Sequence, residues 1–275
     1  MKTGIFAKIW AGRGSLDAVF RAARSYGIES FQFNMCLAGK KTLPDRYDAR
    51  AVGELSYLAD SYGIELAAMS GTFNLMEKHK RKEYLEKSEI LMEICTELSI
   101  PVLSICTGTN SSEGMWKWHP DNDSEESWNQ MKEHLDGLLS IAEKYPVSLG
   151  VEPEVSNIVS SAIKARRLLD EYRHPSIRII LDAANLIRPG EKALINGRIQ
   201  EAVTLLKDEI VLVHAKDCKA DGQIEYKAAG KGDIDYRYYI SCLREAGYAG
   251  SVILHGLTEI EAKDSIRLLK RQLLQ

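Results

Sequence analysis

No CxxC pair occurs in this sequence, and its five cysteines, at positions 36, 95, 106, 218 and 242, are scattered and odd in number. That pattern excludes a zinc ribbon and a disulfide framework and reads as reduced thiols in a cytoplasmic protein. No apolar run reaches the roughly 18 residues that a membrane span needs. The opening "MKTGIFAKIW" lacks the apolar core and small-residue cleavage site of a signal peptide. Basic residues are not in excess: 36 Lys and Arg face 39 Asp and Glu, for a net charge of −3 and a pI near 6.1. A nucleic-acid binder usually carries a basic footprint, so that partner class is set aside, as is a membrane. No GxGxxG follows the first apolar run, and "AGRGS" (11–15) is too short a match to a dinucleotide fingerprint. No arginine cluster marks a phosphate pocket, which favours an unphosphorylated ligand.

What the chain does have is alternation. Short apolar runs, among them "TGIFAKI" (3–9), "SFQFN" (30–34), "IELAAMS" (64–70) and "PVLSICTG" (101–108), each precede an amphipathic stretch. The series continues with "VSLGVE" (147–152), "IRIILD" (177–182), "EIVLVHAKD" (209–217) and "SVILHG" (251–256). These runs are apolar on both faces, as parallel strands covered by helices are. Ser15 is placed to cap a helix, and Gly27 and Gly63 to end helices in the left-handed conformation. Eight strand–helix units without linker or low-complexity sequence predict one (β/α)8 TIM barrel spanning 1–275, eight parallel strands inside an outer helix ring. A doubly wound open sheet is the alternative.

In such a barrel the C-terminal strand ends converge on one mouth. The fifth strand ends on Glu152, the sixth on Asp182, the seventh reaches His214 and the eighth His255. Each residue alone has an ordinary explanation as a helix cap, ion-pair partner or rim histidine. Together, two carboxylates and two imidazoles at one level suit a single divalent ion such as Mn²⁺, Zn²⁺, Co²⁺ or Fe²⁺. Burying that much charge without an ion is costly.

The segments "GVEPEVSN", "IILDAANL", "VHAKD", "AAGKGDIDY" and "GYAGSVILHG" resemble the sugar phosphate isomerase/epimerase family of the xylose isomerase-like TIM-barrel superfamily. The resemblance runs from the first strand to the last helix. It implies a divalent metal held by Glu, Asp, His and Glu from strands five to eight, with Glu152, Asp182 and His214 in the first three places. The fourth place holds His255 instead of glutamate, and Asn185 stands where the family often has histidine. In the family's epimerases the two glutamates are also the proton-transfer bases. His255 keeps a metal ligand and a group that titrates near neutrality, but removes one carboxylate base.

The resemblance further implies that Lys216 and Asp217 line the substrate, with Lys216 stabilising an enediolate-type intermediate or holding an oxygen. Glu154, Asn157 and Asn185 are further candidates for substrate contact. The long loop after strand four carries Trp116, Trp118 and His119, a natural carbohydrate lid. Phe73 and Asn74 are expected to face the mouth, and Trp10 to complete an apolar wall. The expected activity is a metal-dependent isomerase or epimerase acting on a small sugar or sugar derivative, with Glu152, His255 and Lys216 catalytic. An inosose dehydratase-type lyase and a non-catalytic sugar-binding relative are the alternatives. A three-zinc repair nuclease would need more histidine than this chain's six. The partners expected are a small carbohydrate and, as in many relatives, further copies of the chain.

Overall fold

The computed structural model describes residues 1–275. Eight parallel strands form the barrel: β1 (Lys2–Phe6), β2 (Ser30–Phe33), β3 (Glu65–Ser70), β4 (Val102–Ile105), β5 (Ser148–Val151), β6 (Ile177–Asp182), β7 (Ile210–Lys219) and β9 (Ser251–Leu254). Each pairs with the next in order, and β1 closes the ring by pairing Gly4 with Ile253 of β9 and with Ser30 of β2. Helices α1 (Leu16–Ser25), α2 (Ala49–Tyr62), α3 (Arg81–Glu97), α4 (Glu125–Ala142), α5 (Ala162–Tyr172), α6 (Ile195–Leu206), α7 (Tyr236–Glu245) and α8 (Glu259–Leu273) surround it. No helix is long and apolar enough to cross a membrane.

The strands are apolar on both faces because both faces are buried. Ala68, Val102, Ile180, Leu212 and Ile253 fill the barrel's interior. Their neighbours Leu103, Leu181, Val213, Val252 and Leu254 turn outward into the larger core shared with Leu91, Leu135, Leu168, Val203 and Leu269 of the helices. The predicted local signals hold. Ser15 caps α1 by accepting from the Ala18 N–H, and Gly63 ends α2 at φ +61°.

Two placements differ from expectation. Trp10 lies in a 3-10 turn (Ala7–Arg13) entered directly from Phe6. Its ring is fully buried, with centroids 6.2 Å from those of Tyr26 and Phe31. The early turn carries it into the layer between sheet and helices, so it does not wall the mouth. Strand β7 runs two residues further than expected and pairs antiparallel with an extra strand, β8 (Glu225–Ala228). Along β7, His214 and Lys216 point inward, so alternation turns Asp217 outward. Its carboxylate accepts from the backbone N–H groups of Cys218, Gly230 and Ile234 at 2.8, 3.0 and 3.0 Å. Asp217 thus anchors the "GKGD" loop behind the hairpin and does not face substrate.

Candidate metal centre at the barrel mouth

Strand register brings the inward side chains of the last turn to one level. Asp182 pairs with His214 across β6 and β7, and the backbone N–H of His255 bonds to Ala215 of β7. The N–H of Glu152 continues the β4–β5 ladder to Ile105. Glu152 Oε1 lies 3.0 Å from His214 Nδ1, and Asp182 Oδ2 lies 3.8 Å from the same nitrogen. Ligand atoms of Asp182, His214 and His255 all fall within 4.8 Å of one another. His255 stacks on His214 with centroids 4.6 Å apart, and on Phe6 at 5.0 Å.

Two buried polar atoms of this cluster, Asp182 Oδ2 and His255 Nδ1, have no hydrogen-bond partner. The Lys216 ammonium stands 3.3 Å from Asp182 Oδ2 as an ion-pair partner without being aligned to donate. Orphaned donor and acceptor atoms are rare inside proteins, and a shared cation satisfies both. A second set of contacts orients the donors. Gln32 Oε1 accepts from His214 Nε2 at 2.6 Å, which leaves Nδ1 turned to the carboxylates. Asn185 Nδ2 donates to Glu152 Oε1 at 2.7 Å, while its Oδ1 accepts from Lys216. One amide, that of Asn185, thus links Glu152 to Lys216.

Electrostatics follow from this crowding. Burial alone would raise the Glu152 carboxyl, yet the charge and hydrogen bond of His214, with Lys216 behind it, draw it down. Burial raises the Asp182 carboxyl despite the pull of Lys216. Burial works to lower His214, and the charge and hydrogen bond of Glu152 outweigh it, so this imidazole is raised. Burial, then repulsion from His214, pushes His255 down to about 3, which keeps it neutral and ready to act as a ligand. Gly256 follows in the left-handed region at φ +64°, where a Cβ would stand 2.7 Å from Lys216 Cδ. The strand therefore ends His-Gly for two reasons: the imidazole joins the cluster, and the glycine lets Lys216 pass.

The remaining candidates divide. Glu154 is buried near the cluster, its Oε2 held by Ser156 and by Asn157 Nδ2 (3.0 Å), its Oε1 3.4 Å from the Tyr226 hydroxyl of β8. Burial raises this carboxyl. Asn157 is fully buried and ties loops together, accepting from Gly108 N and donating to Met115 O. Asn74 does similar work with Thr109 and Met76. Asn157 is spent on loop structure, whereas Asn74, together with Phe73, also lines a cavity on this face of the barrel. Phe73 is buried against Tyr84 and His134. His119 caps a short turn through Asp121 N, while Trp116 and Trp118 stand about half exposed at 55% and 49%. Gln32, Phe6 and Tyr226 were not singled out from sequence. Tyr226 lies under the Lys216 ammonium, 4.0 Å from its ring centroid. Only Gln32 left a trace, a polar residue inside the apolar run "SFQFN".

The description "xylose isomerase-like TIM barrel" fits residues 20–272 as a family, and the chain belongs to it. No curated protein matches the sequence. Among solved structures it is similar to the 3-keto-D-glucoside 4-epimerase YcjR from E. coli, with TM-score 0.76 and 17% identity over 98% of this chain and 99% of that one. It is also similar to the IolI protein with a zinc atom (TM-score 0.74, 17% identity, 100% and 97% covered). A third is the probable 3-DHS dehydratase AsbF from Bacillus anthracis (TM-score 0.77, 15% identity, 100% and 99% covered). At such identities the likeness carries the fold alone.

Proposed function

We propose that the chain is a metal-dependent isomerase or epimerase acting on a small sugar or sugar derivative. The supporting observation is the convergence of Asp182, His214 and His255 around two orphaned buried atoms, with Glu152 3.0 Å from His214. These four residues would hold one divalent ion. Such an ion, when bound, supplies Lewis acidity that polarises neighbouring carbonyl and hydroxyl oxygens of a substrate.

The chain's own residues supply the rest. Glu152 is the base: Asn185 Nδ2 fixes its Oε1, while Oε2 accepts no protein hydrogen bond and is free to take the proton from the carbon beside the carbonyl. Lys216, fixed by Asn185 and the Tyr226 ring, faces the oxygen on which negative charge develops. Returning the proton to the neighbouring carbon gives an isomerase. Returning it to the same carbon from the other face gives an epimerase, in which His255, a neutral imidazole, serves as ligand only. Gln32 holds His214 in the tautomer this arrangement requires.

A dehydratase is the second reading, and Lys216 favours it. A base on one side and an ammonium on the other can remove a proton and protonate a departing hydroxyl. The test is solvent exchange: the Mn²⁺-loaded protein is incubated with D-fructose, D-tagatose and D-xylulose in D₂O and followed by NMR and mass spectrometry. Exchange at the carbon beside the carbonyl, seen as deuterium gained with no water lost, is expected, slowed by about 10²-fold or more in Glu152→Gln. Loss of water moves the assignment to a dehydratase. No exchange, and no change on metal stripping, ends both.

A further inference from the structure

A cavity of about 700 Å³ opens on the same face of the barrel, above β2 to β4, across the mouth from the metal cluster. It is formed by the loops that follow those three strands, with Thr42, Thr72, Asn110 and Ser111 among its walls and Leu43 and Tyr84 giving it apolar surface. Its size lies within the range of about 300–1,000 Å³ that ligand pockets occupy, ample for more than one sugar ring.

Polar side chains on neighbouring strands lie between it and the cluster, in two hydrogen-bonded pieces joined by strand register. His214 Nε2 bonds to Gln32 Oε1 at 2.6 Å, and Gln32 Nε2 bonds to Ser104 Oγ at 3.3 Å. Ser104 pairs in register with Ser70, whose hydroxyl lies 3.5 Å from that of Thr72 at the cavity. The rim is also tied to the acidic side of the mouth, since Asn157 bonds both Glu154 and the carbonyl of Met115, a wall residue. Trp116 follows directly and is exposed on that rim loop.

The cavity's lysines and its one carboxylate are already matched, with Glu77 bonded to Lys80 and Tyr84, and His79 adds an imidazole to the wall. Lys41 and Lys87 both pair with Asp45, at 2.7 and 2.8 Å, and Lys87 pairs with Glu83 at 2.6 Å. Hydroxyls, amides, an apolar floor and neutralised lysines suit an uncharged polyol better than a phosphate. We infer that this cavity is a second sugar subsite, so that the substrate is a glycoside or disaccharide whose reducing unit sits at the cluster. The inference rests on the carbohydrate function proposed above and narrows its substrate class.

Calorimetry with the Mn²⁺-loaded protein tests it. Maltulose, isomaltulose and leucrose keep the reacting end of D-fructose free and add one glucose unit, so each is compared with D-fructose. The expected result is at least one ketodisaccharide binding about tenfold or more tighter than D-fructose. Ser112→Trp, at an exposed wall residue, is expected to bring that ratio close to one. Equal affinities, or tighter fructose binding, overturn the subsite and leave the sugar isomerase standing. A ratio that survives Ser112→Trp overturns it too. Fructose 6-phosphate binding tighter than every disaccharide overturns it in favour of an anion pocket. If no ketose binds at all, the carbohydrate function fails and the subsite with it.

Discussion

Replacing His255 by glutamate separates a metal centre from a merely hydrogen-bonded polar cluster. The imidazole is neutral and stacked between His214 and Phe6. Glutamate adds a third carboxylate to Glu152 and Asp182. Ligand atoms at positions 182 and 255 lie within 4.8 Å, and two unit charges at that range repel by about 3 kcal/mol at an effective dielectric of about 20. In EDTA, His255→Glu is therefore expected to lose about 2–4 kcal/mol, or to hold a proton at neutral pH. For a chain of this size that is a Tm lower by roughly 5–15 °C. A divalent cation reverses the sign, because the added carboxylate faces two positive charges. Wild-type protein at 100 times its Kd gains about 2.7 kcal/mol from an ion. The variant's gap in Tm between Mn²⁺ and EDTA, read by differential scanning fluorimetry, is expected to exceed the wild-type gap by several degrees. Equal gaps would show that residue 255 does not sense the ion, and the four-ligand centre would be wrong.

Three further outcomes follow from named contacts. Gln32→Leu leaves the buried His214 Nε2–H unpaired; metal affinity, by competition with a fluorescent chelator, is expected to fall about 10–100-fold. Gly256→Ala forces a left-handed alanine against Lys216, costing about 1–2 kcal/mol in urea denaturation and lowering kcat more than it raises KM. Glu171 is buried enough that its carboxyl would rise, but Lys132, Trp128 and Arg167 hold it at about 2, below the 4.5 of a free side chain. Its folded value is depressed, so its contribution is full above about pH 5 and is lost as pH falls from 4.5 through about 2. Glu171→Gln is expected to cost about 1 kcal/mol at pH 7, since the group is partly exposed, and nearly nothing at pH 2. A urea-midpoint difference that stays constant across that range would contradict this.

The barrel was legible because burial on both faces leaves a mark in every strand, as in "IRIILD" and "VLV", and because caps such as Ser15 and Gly63 act locally. The ligand candidates were legible because a charged or imidazole side chain at the end of an apolar run stands out. Contacts formed between distant segments left less. Gln32 lies 182 residues from the His214 it orients, so only its polarity inside "SFQFN" hinted at a role. Asp217 was misjudged although strand alternation from His214 turns it outward. Trp10 was misjudged because nothing in "AKIWAGR" announces the 3-10 turn that carries it under α1. Asn157 looks the same in sequence whether it meets a ligand or a backbone N–H. The cavity over β2 to β4 is built from three separate loops and has no motif of its own.

The central claim is tested most directly by anomalous diffraction from crystals of the protein grown with Mn²⁺ or Zn²⁺. One strong peak is expected at the mouth, about 2.0–2.3 Å from an oxygen of Glu152, an oxygen of Asp182 and a nitrogen each of His214 and His255. A mouth with no peak, or a metal bound only by other residues, would contradict it.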